Sequence, residues 1–407
     1  MDPILNPYTP NAGAQPPAVL GRDAELANFD LLLRRISAGR TEQSMIITGL
    51  RGVGKTVLLG RFRAKAQELR WVVVEKEVSK HDDEQFRRQM VSAIRTALFE
   101  MSPKARWGDL MRRAGAVLKS FSLSVDPSGA LTGGIDIEAA QGFADQQDLE
   151  ADITDLLVAV GEAAQETNKG LVLLFDEVQF LSTRQLEALI SALHKTVQRG
   201  LPITMVGAGL PQIAELAGDA KSYSERLFKF PRIGYLGGED ARAALAEPAR
   251  DEGAEYSADA LDLALEVTGG YPYFLQALGY AVWGVAEGPM ITRDDIESSI
   301  PIYQAKLDES FFRVRLDRAT EMERIYLRAM AELGPGAQKA QDVAEVIERK
   351  STQLGPIRAQ LISMGLLYTP EHGYAAFTVP HFDKFLLRAI PDLIMPPEKP
   401  ERSRRKK

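Results

Sequence analysis

Short apolar runs alternate with amphipathic stretches along the first 237 residues. Met45-Ile46-Ile47-Thr48, Trp71-Val72-Val73-Val74, Leu171-Val172-Leu173-Leu174-Phe175 and Ile203-Thr204-Met205-Val206 are strand-length apolar segments, and Ile233-Gly234-Tyr235-Leu236 reads as a further one. Hydrophobicity that runs on without alternating suits a parallel strand covered on both faces. Between these runs the period changes. Residues 83–100 place Phe86, Met90, Ile94 and Leu98 at i, i+4, i+8 and i+12, on one helical face. Helices are also predicted to Ser37, from Val57 to about Glu68, over 147–166 and over 183–199. Strands alternating with helices predict an α/β fold with a parallel sheet. One interval departs from this: Ser120-Phe121-Ser122-Leu123-Ser124-Val125 alternates, Asp126-Pro127-Ser128-Gly129 is a turn, and Ile135-Asp136-Ile137 alternates again. It reads as a β-hairpin inserted near 119–137.

From Gly238 the strand signals stop. Helical periodicity covers about 239–252, 257–268, 272–286 and 292–316, an all-α segment. A third pattern follows: helices near 320–333, 339–349 and 352–364, then Leu366-Leu367-Tyr368, a turn at Pro370-Glu371-His372-Gly373, and Tyr374 to Val379. Three helices followed by a hairpin is the plan of a winged helix. The expected organisation is an extended arm over 1–18, an α/β core over 19–237, a helical lid over 238–317, a winged helix over 318–397 and a basic tail over 398–407.

Composition narrows the chemistry. The 407 residues contain no cysteine, which excludes disulfides, thiol nucleophiles and thiolate zinc sites. The histidines at 81, 194, 372 and 381 have no close helical pairing and suggest no metal site. The Pro-rich start lacks a basic region followed by an apolar core, so no signal peptide is expected there. Tyr271 to Ala286 is too short for a membrane span. A cytoplasmic protein without membrane partners is expected. The net charge of −7 gives no global attraction to nucleic acid.

The candidate chemistry lies at two strand ends. Gly49-Leu50-Arg51-Gly52-Val53-Gly54-Lys55-Thr56 fits the phosphate-loop pattern G-x-x-x-x-G-K-[ST] at every fixed position. Glycines let backbone N–H groups curl around phosphate oxygens, Lys55 reaches the outer phosphates, and the Thr56 hydroxyl is a ligand for Mg2+. Val57 continues into a helix whose N-terminus favours anions. The second run, Leu171 to Phe175, ends in Asp176-Glu177. Asp176 is the candidate on the metal side, and Glu177 the base that activates water. ATP and Mg2+ are the expected substrate and cofactor.

Taken in order, these features resemble one branch of the AAA+ superfamily, the archaeal-type and STAND-like ATPases near the origin-recognition ATPases. The resemblance covers roughly residues 18–390. Leu20-Gly21-Arg22-Asp23-Ala24-Glu25-Leu26 resembles the leading segment that packs against adenine, which implies nucleotide contacts for Leu20, Gly21 and Arg22. Gly207-Ala208-Gly209-Leu210-Pro211 resembles the end of the strand that carries a first sensor. No polar side chain stands there, and Thr204 is the nearest substitute. Ser222 to Phe228 resembles the segment bearing an arginine finger, implying that Arg226 acts across a subunit interface; a surface arginine paired to Glu225 is the alternative. Gly269-Gly270-Tyr271-Pro272 resembles a STAND lid motif whose proline, here Pro272, packs on the base. Phe377 to Phe382 resembles the closing strand of the winged helix.

The resemblance implies an ATP-hydrolysing switch or assembly factor that forms a nucleotide-dependent homo-oligomer. A replication-initiator-like DNA-binding ATPase and a non-hydrolysing ATP-binding adaptor are the alternatives. A DNA or a protein partner fits the winged helix equally. Residues 318–397 hold nine basic and nine acidic side chains, while 398–407 hold six and two. Arg349, Lys350 and Arg358 are the cations on or near the third helix, where a duplex reader is expected.

Overall fold

The computed structural model describes residues 1–11, 13–16, 19–79 and 82–394; the basic tail at 398–407 lies outside the described residues. The chain divides into two compact units, Met1–Ser299 and Ile300–Lys407.

The first unit opens with α1 (Asp23–Ser37), β1 (Ser44–Thr48), α2 (Lys55–Glu68), β2 (Val72–Glu77), α3 (Asp83–Met101) and α4 (Asp109–Leu123). It continues with α5 (Leu149–Glu166), β3 (Leu171–Asp176), α6 (Thr183–Gln198), β4 (Ile203–Gly209), α7 (Ile213–Ala220), α8 (Ser224–Leu227) and β5 (Phe228–Lys229). The five strands form one sheet in the order β2-β3-β4-β1-β5, and every pairing is parallel. The unbroken apolar runs follow from this layering. Leu171, Leu173 and Phe175 of β3 face α3 to α6, together with Val72, Val74, Ile203 and Met205. Val172 and Leu174 point to the opposite side, as the period of two requires, where α2 packs with Leu58, Leu59 and Phe62 buried. Phe62 stacks on Phe29 of α1 at 4.4 Å between ring centroids.

Helix ends are set by side chains. Asp82 caps α3 through the Gln85 amide (2.8 Å), and Asp148 caps α5 through that of Ala151 (2.8 Å). Ser182 and Gln185 form a reciprocal box at the start of α6. Inside the core the Arg87 guanidinium donates to the Asp152 carboxylate at 2.7 Å, with both side chains buried.

The expected hairpin near 119–137 is not formed. Met111, Ala114, Val117, Leu118 and Phe121 are all buried on one helical face, and that period carries α4 through the alternating stretch to Leu123. The Asp126 turn does form, with Asp126 accepting from the amides of Ser128 (3.3 Å) and Leu131 (2.8 Å). The following segment lies along α4, where Ala140 donates to the Ala116 carbonyl at 3.1 Å, instead of pairing as a strand. Residues 233–236 are likewise no strand: a single bridge joins Arg232 to Thr48, and β5 forms earlier, at Phe228–Lys229.

The unit closes with α9 (Gly238–Asp251), β6 (Glu255–Tyr256), α10 (Ala258–Thr268), α11 (Pro272–Val285), β7 (Met290–Ile291) and α12 (Arg293–Lys306), whose last residues enter the second unit. The N-terminal residues, expected as an arm with little structure of its own, are fastened to these helices. Tyr8 is buried, and its hydroxyl donates to the Leu245 carbonyl at 2.6 Å. A Cβ at position 279 would come within 2.5 Å of the Tyr8 ring, so Gly279 provides the notch that receives it.

The second unit contains a π-helical turn (Leu307–Arg313), α13 (Val314–Leu316), α14 (Glu321–Glu332), β8 (Gln338–Lys339) and α15 (Ala340–Val346). There follow α16 (Ser351–Ser363), β9 (Leu367–Tyr368), β10 (Tyr374–Phe377) and α17 (Phe382–Ala389). Its small antiparallel sheet has the order β8-β10-β9, so helix, strand, two helices and a hairpin follow one another as in a winged helix. Phe312, Phe377, Phe382 and Phe385 pack ring to ring at its centre.

Candidate active site

A parallel sheet delivers all its strand ends to one edge, and ligands bind in the crevice outside those ends. Here β4 lies between β1 and β3. The end of β4 therefore stands between the loop that leaves β1 and the acidic pair that leaves β3. The Gly49 amide donates to the Gly209 carbonyl at 3.1 Å and fixes the loop to that edge.

The loop is formed for close approach. Gly52 and Gly54 have φ of +87° and +93°, values that L side chains rarely adopt. A Cβ on Gly49 would stand 2.5 Å from the Ile233 carbonyl oxygen. Val53 is buried and anchors the turn. The first residue of α2 is Lys55, so the loop ends on the free N–H groups of a 14-residue helix, an anion-binding position. Lys55 itself is buried, and its ammonium donates to the carbonyls of Gly49 (3.0 Å) and Leu50 (2.9 Å). Burial lowers its pKa from the ordinary lysine value, opposed by the negative charges of Glu177 and Asp176. Val57 follows in the first turn of α2, and its carbonyl accepts from the Gln15 side chain at 3.3 Å.

The Thr56 hydroxyl donates to Asp176 Oδ2 at 2.5 Å. Burial raises the Asp176 pKa, while the Thr56 bond and the Glu177 amide oppose the shift. A hydroxyl and a carboxylate in contact are hard oxygen donors of the kind Mg2+ takes, and this ion needs only one or two protein ligands beside phosphate. Among the described residues no group of three or more His, Asp or Glu forms a metal cage. The donor set fits Mg2+.

Glu177 leaves β3 with φ of +54°, an uncommon left-handed conformation for a residue with a side chain. Its amide donates to Asp176 Oδ1 at 2.8 Å. Its carboxylate accepts from the Gln179 side-chain amide. Gln179 is a residue that sequence reasoning missed; the only available signal was a polar side chain two positions after the acidic pair.

The leading segment and the lid close the other side of the loop. Arg22 is buried and donates to the carbonyls of Val53 (3.1 Å), Gly234 (2.7 Å) and Gly21 (3.0 Å). Burial lowers its pKa, with Glu25 and Asp240 opposing. Leu20 and Gly21 precede it at the half-buried edge, and a Cβ on Gly21 would meet Asp240 and Leu236. Across the loop, the buried Tyr271 hydroxyl donates to the Arg51 carbonyl, and the Tyr273 amide donates to that of Gly52 at 3.2 Å. Pro272 is held between these two contacts as the first residue of α11.

Two residues lie elsewhere. Arg226 is exposed in α8, immediately before β5, and β5 pairs with Ser44 and Met45 at the start of β1. That is the opposite end of the strand from the loop. Thr204 does not replace a first sensor: it stands at the amino end of β4, where its hydroxyl bonds that of Ser44 at 3.0 Å.

Residues 18–206 match the family model of the AAA ATPase domain. That segment is similar to the AAA ATPase domain. Residues 309–386 match a domain of unknown function (DUF8462). No curated protein matches the chain in sequence. Among solved structures, the Walker-type ATPase of Pyrococcus abyssi is similar at 14% identity and a TM-score of 0.56, over 91% of this chain and 97% of that one. Cdc6p of Pyrobaculum aerophilum is similar at 15% identity and a TM-score of 0.47, over 96% of this chain and 98% of that one. The family segment of the AAA ATPase domain contains the loop, Asp176, Glu177 and Gln179; it stops before the β4 tip and Arg226. No helix among the described residues is long and apolar enough to cross a membrane.

The Arg22 bonds predict a bracing role. Replacing Arg22 by Ala leaves the carbonyls of Val53 and Gly234 without their donor and lowers stability by about 2 kcal/mol. Arg22→Lys recovers only part, because one ammonium does not reproduce the guanidinium fork. Denaturant unfolding of the three proteins measures this, and equal midpoints contradict it.

Proposed function

We propose that the chain binds ATP with Mg2+ and hydrolyses it, and that it works as a nucleotide-dependent switch or assembly factor. The observation that carries this reading is the contact between Thr56 and Asp176, with Glu177 beside it at the mouth of the phosphate loop. Gly49, Gly52, Val53 and Gly54 cradle the phosphates with their backbone. Lys55 exchanges the carbonyls of Gly49 and Leu50 for phosphate oxygen. Thr56 and Asp176 hold Mg2+, which neutralises phosphate charge when bound. Leu20, Gly21, Arg22, Val57 and Pro272 border the nucleotide. Glu177 takes the proton of the attacking water as its oxygen bonds the terminal phosphorus and the bond to the bridging oxygen breaks, giving ADP and phosphate. Lid contacts at Arg51 and Gly52 are the route by which the state of the loop reaches α11.

Arg226 lies at the far end of β1 from its own loop, so a catalytic role for it requires a neighbouring subunit. Homo-oligomerisation in the presence of nucleotide is part of the same proposal. The second unit supports weak DNA contact at most. Arg358 donates to the Tyr374 carbonyl at 2.6 Å, which occupies the expected duplex reader. The exposed positions of α16 itself, Ser351, Thr352, Gln353, Gly355, Pro356, Ala359 and Gln360, include no cation.

Three measurements test this. Lys55→Ala abolishes ATP binding, whereas Glu177→Gln binds ATP and turns over at least about 100-fold more slowly; normal phosphate release from Glu177→Gln refutes the assignment. Arg226→Ala keeps ATP affinity and loses turnover, and mixing it with Lys55→Ala subunits restores part of the rate; full activity of Arg226→Ala removes the role. A salt titration of duplex affinity gives steep salt dependence that vanishes on deleting residues 398–407; tight, sequence-selective binding that survives the deletion favours an initiator-like protein.

A further inference from the structure

The tip of β4 stands between the loop and the acidic pair, yet Gly207, Ala208, Gly209 and Leu210 offer no hydrogen-bonding side chain there. Another residue occupies the space. Glu177 turns the chain in the left-handed region, and Val178–Phe180 then form a single 3-10 turn. This returns the side chain of Gln179 over the residue two positions before it. Its Oε1 accepts the Leu210 amide at 3.1 Å, and its Nε2 donates to the Glu177 carboxylate. The orientation is fixed by chemistry. A backbone N–H only donates and an ionised carboxylate only accepts, so the flipped amide satisfies neither partner.

Gly209 leaves room for this arrangement. A Cβ there would come 2.8 Å from Gln179 Oε1 and 3.0 Å from Val178 Cγ2. The lack of a side chain on β4 and the presence of Gln179 are two halves of one fit. We propose that Gln179 is a positioning residue for ATP hydrolysis: it ties the Glu177 carboxylate to the β4 backbone and so performs, from the β3 side, the orienting task that no β4 side chain performs. A neutral amide suits that task. An arginine or lysine in the same place would also orient the carboxylate, but its charge would make the base weaker.

This inference rests on the hydrolysis reading above, and the test separates the two. ATP turnover and the affinity for a non-hydrolysable ATP analogue are measured for the full chain and its variants. Gln179→Ala lowers kcat by about 10- to 100-fold and leaves analogue affinity within about twofold, since the interaction lost is made through the base and not to the nucleotide. In a Glu177→Gln background the same change alters the residual single-turnover rate by less than about twofold, because residues acting through one group are not additive. Gly209→Ala, whose Cβ presses on Gln179 Oε1 and Val178, also lowers kcat. Gly207→Ala, whose Cβ has Val178 and Ile46 as its nearest neighbours, is the steric control and stays close to the parent. An unchanged kcat in Gln179→Ala, or an equal loss in the Glu177→Gln background, overturns the positioning role while hydrolysis stands. A parent chain that binds ATP without turning it over refutes the hydrolysis reading and the positioning role with it.

Discussion

Thr56 and Asp176 are separated by 120 residues in sequence and meet at 2.5 Å. That contact is made possible by one constraint: strands that run parallel finish at the same edge. Each parallel connection needs a crossover, and the crossovers supply the helices that bury both faces of the sheet. The long apolar runs, the layering of α1 to α6 and the meeting of two distant polar residues are therefore consequences of a single topology. The strand inserted between β1 and β3 adds the last element, because its tip must stand inside the site.

Much of this was legible in the chain. The runs at 45–48, 171–175 and 203–206 are continuous and bounded, and each is a strand whose parallel placement follows from its composition. The loop pattern was legible because glycine at positive φ and a helix start leave few substitutes. The failures have physical causes. Ser120 to Val125 alternates, but Leu118 and Phe121 also sit at helical spacing from Ala114, and burial against α5 decides for the helix. Of residues 233–236 only Ile233 is buried, beside the loop, where Gly49 passes close to its carbonyl and Arg22 bonds that of Gly234, while Tyr235 is exposed. Gln179 was invisible because its role depends on a left-handed residue and on a vacancy at Gly209, neither of which sequence spacing encodes. Arg358 looked free because its partner is a backbone carbonyl 16 residues away.

The lid and the leading segment share a manner of contact. Arg22, Tyr271 and Tyr273 all donate to carbonyls on the loop or beside it and draw on none of the loop's N–H groups. Support from behind and an open front are compatible only because a peptide group presents its two polarities on opposite sides. A brace made through the N–H groups would compete with phosphate for the same donors.

Lys55 has the same economy with a different outcome. Its ammonium already rests on two carbonyl oxygens of its own loop, so a ligand does not meet an idle charge. A bond from an ammonium to an ionised oxygen is about twice as strong as one to a neutral carbonyl. An anion at the loop mouth would therefore draw the lysine off its resting bonds, which until then hold the buried charge in place.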